Sequence, residues 1–122
     1  MKKKILICDD DEIMQKLLGF FFRKENVEIL PLLTGKDLLA AAKQQAPAVI
    51  LLDMMLPDKD GLTALKELNG DPATAAIPVI ILSATLRPEM ISQARELGAK
   101  EFIEKPVQPA RILEAVRKYT AD

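Results

Sequence analysis

The 122-residue sequence contains no histidine, no tryptophan and a single cysteine. Without histidine there can be no histidine nucleophile, general base or metal ligand. Any bound metal must then be a hard cation held by oxygen, magnesium or manganese. The lone Cys8 sits inside an apolar run and reads as a small buried strand residue. An excess of charge of either sign is missing too: seventeen basic against eighteen acidic residues leave a net charge of −1. There is accordingly no electrostatic case for nucleic acid or an anionic membrane. No apolar stretch approaches the length of a membrane span. The start, Met1-Lys2-Lys3-Lys4, leads into only a short apolar run before three aspartates, too little for a signal peptide. A cytoplasmic location is the expectation.

What is present is an ordinary soluble balance, 49 % hydrophobic and 29 % charged. A chain of this length folds as one domain, taken as residues 1–122, and buries a sizeable core without disulfides or structural metal. The natural-looking start at Met1 suggests a stand-alone protein, with a piece of a larger kinase or regulator as the alternative.

Apolar runs and helical patterns alternate, five of each, joined by short connections. Ile5–Cys8, Val49–Leu52 and Val79–Leu82 are continuous and rich in Ile and Val, as central strands of a parallel sheet are. Val27–Pro31 carries a proline that cannot donate to a ladder, and Lys100–Glu104 alternates charge with apolar side chains. Both belong at edges. The pattern predicts an α/β, doubly wound, five-stranded parallel sheet in the order 2-1-3-4-5, flavodoxin-like, with five helices. Right-handed crossovers place the first and last helices on one face and the other three on the opposite face. Asp11 is read as the N-cap of the first helix, with Ile13, Leu17, Phe20 and Phe21 forming its inner face. Met14 lies at the margin of that face; Leu18 and Phe22 fall off it, packed against neighbours or exposed as a partner surface. Thr34 and Asp37 resemble a capping pair for the second helix. The fourth strand is expected from about Ile77. Pro88 and Pro109 open the last two helices, Gly98 stops the fourth, and the fifth presents Ile112, Leu113, Val116 and Tyr119.

Polar residues follow the apolar runs at one end. Asp9-Asp10 follow the first strand, Asp53 the third, Ser83 the fourth and Lys105-Pro106 the fifth. In an open parallel sheet, ligands bind outside the carboxyl ends of the strands, at the point where the strand order reverses. Three carboxylates so close repel one another unless a cation sits among them. Magnesium, or manganese, suits such a site, with Asp10 and Asp53 coordinating directly and Asp9 through water. The backbone carbonyl of Met55 offers a further ligand. Singly, each residue reads as a helix cap, a turn residue or a solvated lysine; jointly, at the tips of separate strands, they do not.

These motifs, Asp9-Asp10, Asp53, the Pro57 and Gly61 spacing after it, Ser83-Ala84 and Lys105-Pro106, resemble those of two-component response regulator receiver domains, such as the stand-alone chemotaxis regulator. The resemblance covers essentially the whole chain. It implies a phosphorelay switch in which Asp53 accepts a phosphoryl group from a phosphohistidine on a histidine kinase or histidine phosphotransfer protein. It implies that Lys105, aimed inward by a cis Lys105-Pro106 bond, and Ser83, with nearby N–H groups including that of Ala84, contact the phosphoryl oxygens. Phe102 matches the family's switch aromatic, with the alternative that it stays buried in both states. The output surface would be the fourth helix, fifth strand and fifth helix, presented to a downstream effector protein by a monomer or a phosphorylation-dependent dimer. No external substrate turnover is expected, so the chain is not read as an enzyme. Met55 and Thr85 stand where the family tunes acyl phosphate lifetime, and neither offers a base to activate water. An aspartate-nucleophile phosphatase would need an aspartate where Met55 stands. A non-phosphorylated interaction module would usually lack the acceptor or the lysine, and both are here.

Overall fold

The computed structural model describes residues 2–121; Met1 and Asp122, the two ends of the domain as read from the sequence, lie outside the described residues. Strands and helices alternate: β1 (Lys3–Cys8), α1 (Glu12–Phe21) running into a 3-10 turn (Phe22–Lys24), β2 (Val27–Leu32), α2 (Leu38–Gln45), β3 (Val49–Asp53), α3 (Gly61–Gly70), β4 (Val79–Ser83), α4 (Pro88–Glu96), β5 (Ala99–Glu104) and α5 (Pro109–Thr120). The five strands are parallel, in the order β2-β1-β3-β4-β5. Every residue of β3 and β4 is buried, which is why these strands carry no alternation. Pro31 sits in β2, at one edge of the sheet.

Alternate side chains along the strands feed two apolar layers. Ile5, Ile7, Leu51, Ile80 and Leu82 pack with α1 and α5; Leu6, Ile50, Leu52 and Ile81 pack with α2, α3 and α4. The helices therefore divide between the faces as right-handed crossovers require. Among the described residues, no helix is long and apolar enough to cross a membrane.

Local signals mostly hold. Asp11 caps α1, its Oδ1 accepting the Met14 N–H at 3.0 Å. Gly98 has φ +102°, a conformation that glycine adopts without strain, and ends the turn after α4. On α5, Ile112 and Val116 are buried together with Ala115, whereas Leu113 and Tyr119 lie at the border.

Four expectations need correction. The inner face of α1 is formed by Met14, Leu18 and Phe22, while Ile13, Leu17, Phe20 and Phe21 are exposed. Both sets recur at helical spacing, and α1 is apolar around more than half its circumference, so periodicity alone cannot choose between them. The start of α2 is held differently from a Thr34–Asp37 pair: Asp37 occupies the N-cap without a side-chain bond, and the Leu38 N–H donates to the Gly35 carbonyl. The Gly35 and Lys36 N–H groups are instead taken by the Asp58 carboxylate, at 2.8 and 2.9 Å. β4 starts at Val79, because Ile77 belongs to a turn in which its N–H donates to Thr74, and Pro78 has no N–H. β5 and β2 each extend one residue beyond the expected range, to Ala99 and Leu32.

Candidate functional site

The sheet delivers four chemical groups to one edge. After β1, the Asp9 N–H donates to the Leu32 carbonyl at 2.9 Å, so the backbone stays tied to β2 as it leaves the sheet. The Asp9 side chain is fully buried, and its Oδ1 accepts the Asp11 N–H at 2.9 Å. Asp10, next along the turn, is exposed. Asp53 closes β3 and is 4 % exposed; its Oδ1 accepts the Met55 N–H at 3.0 Å. Lys105 follows β5, its N–H donating to the Ser83 carbonyl at 2.8 Å, and the Lys105-Pro106 bond is cis.

The Lys105 ammonium reaches between two acids. Its Nζ lies 2.9 Å from Asp9 Oδ2 and 3.2 Å from Asp53 Oδ2. The contact with Asp53 is an aligned hydrogen bond. That with Asp9 is a close ion pair without hydrogen-bond alignment, so this buried oxygen keeps a lone pair uncommitted. Burial dominates at Asp9 and raises its pKa despite the lysine and the Asp11 N–H. At Lys105 burial pulls the other way, but the two carboxylates outweigh it and raise its pKa. The lysine therefore stays charged.

One oxygen from each of Asp9, Asp10 and Asp53 lies within 4.8 Å of the others. An all-carboxylate set of this spacing, with one buried lone pair free, fits a hard divalent cation that keeps several waters. The Met55 carbonyl borders the same loop, where Met55 forms an isolated antiparallel bridge with Asp60. Gly61 starts α3 against this loop: a Cβ there would stand 2.6 Å from the Met54 Cα. Only glycine lets the helix approach so closely.

Ser83 is brought to the same edge and buried, but its hydroxyl is engaged elsewhere. It donates to the Thr85 carbonyl at 2.8 Å and accepts the Thr85 N–H at 3.2 Å. Phe102 is half-buried against the α2, α3 and α4 layer, with the Arg95 guanidinium 5.0 Å from its ring centroid. Sequence reasoning missed the Lys105–Asp9 pair, since strand ends give proximity but not partner choice. It also missed Gln15, a buried amide beneath the Asp9 turn. A polar residue falling on the arc of Met14, Leu18 and Phe22 was the signal for it.

The sequence matches the response regulator receiver domain family over residues 5–117. The chain belongs to that family. Among curated relatives, this receiver domain is 34 % identical to the chemotaxis protein CheY of Thermotoga maritima, over 97 % of this chain and 98 % of CheY. It is 35 % identical to the response regulator PleD of Caulobacter vibrioides over 98 % of its own length, but spans only about a quarter of PleD, 26 %. In structure it superposes with TM-score 0.86 and 20 % identity on the receiver domain of the sensor histidine kinase PA1611 from Pseudomonas aeruginosa PAO1. That similarity covers 100 % of both chains, and the PA1611 domain is described with a magnesium ion coordinated in its active site cleft. The receiver fold is common to both.

Proposed function

We propose that this receiver domain is a phosphorylation-dependent signalling switch that accepts a phosphoryl group on Asp53 from a partner's phosphohistidine, in a magnesium-dependent reaction. The observation that carries this reading is the cluster of Asp9, Asp10 and Asp53, two of which, Asp9 and Asp53, also pair with Lys105. Asp53 is the member placed to react, because its Oδ2 faces the pocket and its Oδ1 is held by the Met55 N–H. An Asp53 oxygen forms the new O–P bond as the donor's N–P bond breaks, and the electron pair leaves with the imidazole nitrogen. The protein's task is alignment and charge neutralisation. Asp10, Asp53 and the Met55 carbonyl would hold the cation directly, and Asp9 through water. Bound there, a dication supplies charge compensation for the phosphoryl oxygens. The magnesium described in the PA1611 domain, of the same fold, supports that choice of ion.

After transfer, the acyl phosphate places about two negative charges where one stood. Lys105 pairs with one phosphoryl oxygen. Ser83 would have to release Thr85 to reach another, and that exchange couples the site to the loop preceding α4. Phe102, on the strand beside β4, then responds through its packing against α4, so the α4–β5–α5 surface carries the output to an effector. The exposed side chains Ile13, Leu17 and Phe20 on α1 support a docking place for the phosphodonor protein. Ile13 and Leu17 line a cleft with Lys105, Pro106 and Val107, which joins this stripe to the reaction site. The domain works as a switch without turnover of an external substrate.

Intact-mass measurement after incubation with magnesium and a small acyl phosphate tests the reading. Wild type gains one phosphoryl group; Asp53→Asn, and wild type with chelator, gain none. An Asp53→Asn protein that still acquires the mass would overturn it.

A further inference from the structure

Gln15 lies in the second turn of α1, 7 % exposed, directly under the turn that carries Asp9 and Asp10. Its Nε2 lies within hydrogen-bond reach of three backbone carbonyls, those of Ile7 at 2.9 Å, Asp9 at 3.1 Å and Leu32 at 3.2 Å, which share its two N–H donors. Three acceptors around one nitrogen fix the orientation of the amide, since its oxygen could not face them. Its Oε1 is buried and, among the described residues, has no hydrogen-bond partner. The three carbonyls come from the end of β1, from the Asp9 peptide itself and from the end of β2. One amide therefore fastens α1, β1 and β2 together where the chain leaves the sheet.

We propose that Gln15 is a positioning residue for the cation site: it fixes the Asp9–Asp10 turn so that both carboxylates close on a divalent cation with Asp53. The inference rests on the proposed magnesium-dependent function of that site. Without the clamp the turn is free to pivot about Asp9, and the oxygens of Asp9 and Asp10 no longer hold their distance from Asp53. Groups that orient metal ligands from outside the ligand shell commonly change metal affinity about tenfold or more when replaced.

The test is magnesium titration of the intact protein by calorimetry and by amide NMR. Gln15→Met keeps the length of the side chain and removes the donors; its magnesium dissociation constant should rise about tenfold. Ile112→Val, a core change on α5 in the same apolar layer, lowers the melting temperature and should leave the constant unchanged. In an Asp10→Asn background the Gln15→Met effect should shrink, because coupled residues are not additive. If Gln15→Met does not fold, the wild-type protein still decides: its Gln15 side-chain amide resonances should shift during the titration in step with the Asp9 and Asp10 amides. A Gln15→Met constant within about twofold of wild type, or wild-type Gln15 resonances that stay still while magnesium binds, overturns the positioning role alone. No magnesium binding by wild type overturns that role and the magnesium-dependent function together.

Discussion

Lys105 stands closer to Asp9 than to Asp53, its Nζ 2.9 Å from the first and 3.2 Å from the second. Asp9 has no solvent contact, so the ammonium is the main compensation for its charge. The lysine therefore compensates the pocket before any cation arrives, and in the proposed function it pairs with a phosphoryl oxygen afterwards. Lys105→Met should cost about 2 kcal/mol of stability, because it strands a buried carboxylate beside Asp53. Magnesium should recover more of that loss in the variant than it adds to wild type, since it meets two uncompensated carboxylates. Thermal melts with and without magnesium measure both effects. An equal magnesium increment in the two proteins would show that the lysine does not balance these acids.

The docking proposed for the exposed stripe on α1 can be tested apart from the chemistry. Phe20 is 68 % exposed and Phe22 is 2 % exposed, although both are phenylalanines two positions apart. Phe22→Ala should cost about 3–5 kcal/mol, as large buried side chains do. Phe20→Ser should change stability by no more than about 0.5 kcal/mol. The same Phe20→Ser protein should take phosphoryl from a small acyl phosphate at the wild-type rate, and from a phosphohistidine protein at least about tenfold more slowly, a loss of about 1.4 kcal/mol. Unchanged transfer from the protein donor would place docking elsewhere.

That contrast also marks where sequence reasoning ran out. Strand order was legible because Val49–Leu52 and Val79–Leu82 lack polar interruptions, and Pro31 and the charges around Phe102 mark edges. The acidic site was legible because parallel strands send their carboxyl ends to one edge, which made Asp9, Asp10, Asp53 and Lys105 neighbours before any coordinates. The face of α1 was not, since Ile13-Leu17-Phe20 and Met14-Leu18-Phe22 satisfy the same period. What selects between them is the anchoring of Gln15 to backbone carbonyls of β1 and β2, a long-range fit that composition does not encode. The choice of Asp9 as the nearer partner of Lys105 is equally a matter of side-chain reach.

Lifetime of the acyl phosphate should depend little on the side chain after the acceptor loop begins. Met55 is 73 % exposed, and its contact with Asp53 is through the backbone N–H, which any residue keeps. Thr85 is exposed as well. Neither side chain offers a base to activate water. Met55→Ala should change the autodephosphorylation rate by less than about threefold, under 1 kcal/mol in barrier. Decay of the phosphorylated species followed by intact mass gives the rate; a large acceleration would mean that the Met55 side chain folds over the phosphoryl group.

The contact of Glu101 on β5 with Tyr119 on α5 should carry a pH signature. Glu101, on β5, accepts the Tyr119 hydroxyl at 2.7 Å and the Lys118 ammonium at 3.1 Å. Burial raises its pKa, but these partners outweigh burial and hold it below the ordinary 4.5. A carboxylate depressed in the folded state adds stability above its unfolded pKa and loses it as pH falls through the lower folded value. Tyr119 has the opposite sense: burial first, then Glu101, push its hydroxyl up to about 12. Its contribution is complete below the ordinary value of 10.0 and is lost as pH rises through about 12. Tyr119→Phe should lower stability by about 1 kcal/mol at neutral pH. The gap from wild type should narrow both in acid, as Glu101 protonates, and in strong base, as Tyr119 ionises. Urea unfolding of both proteins across pH measures it, and a gap that stays constant into acid would show that Tyr119 does not hold Glu101 ionised.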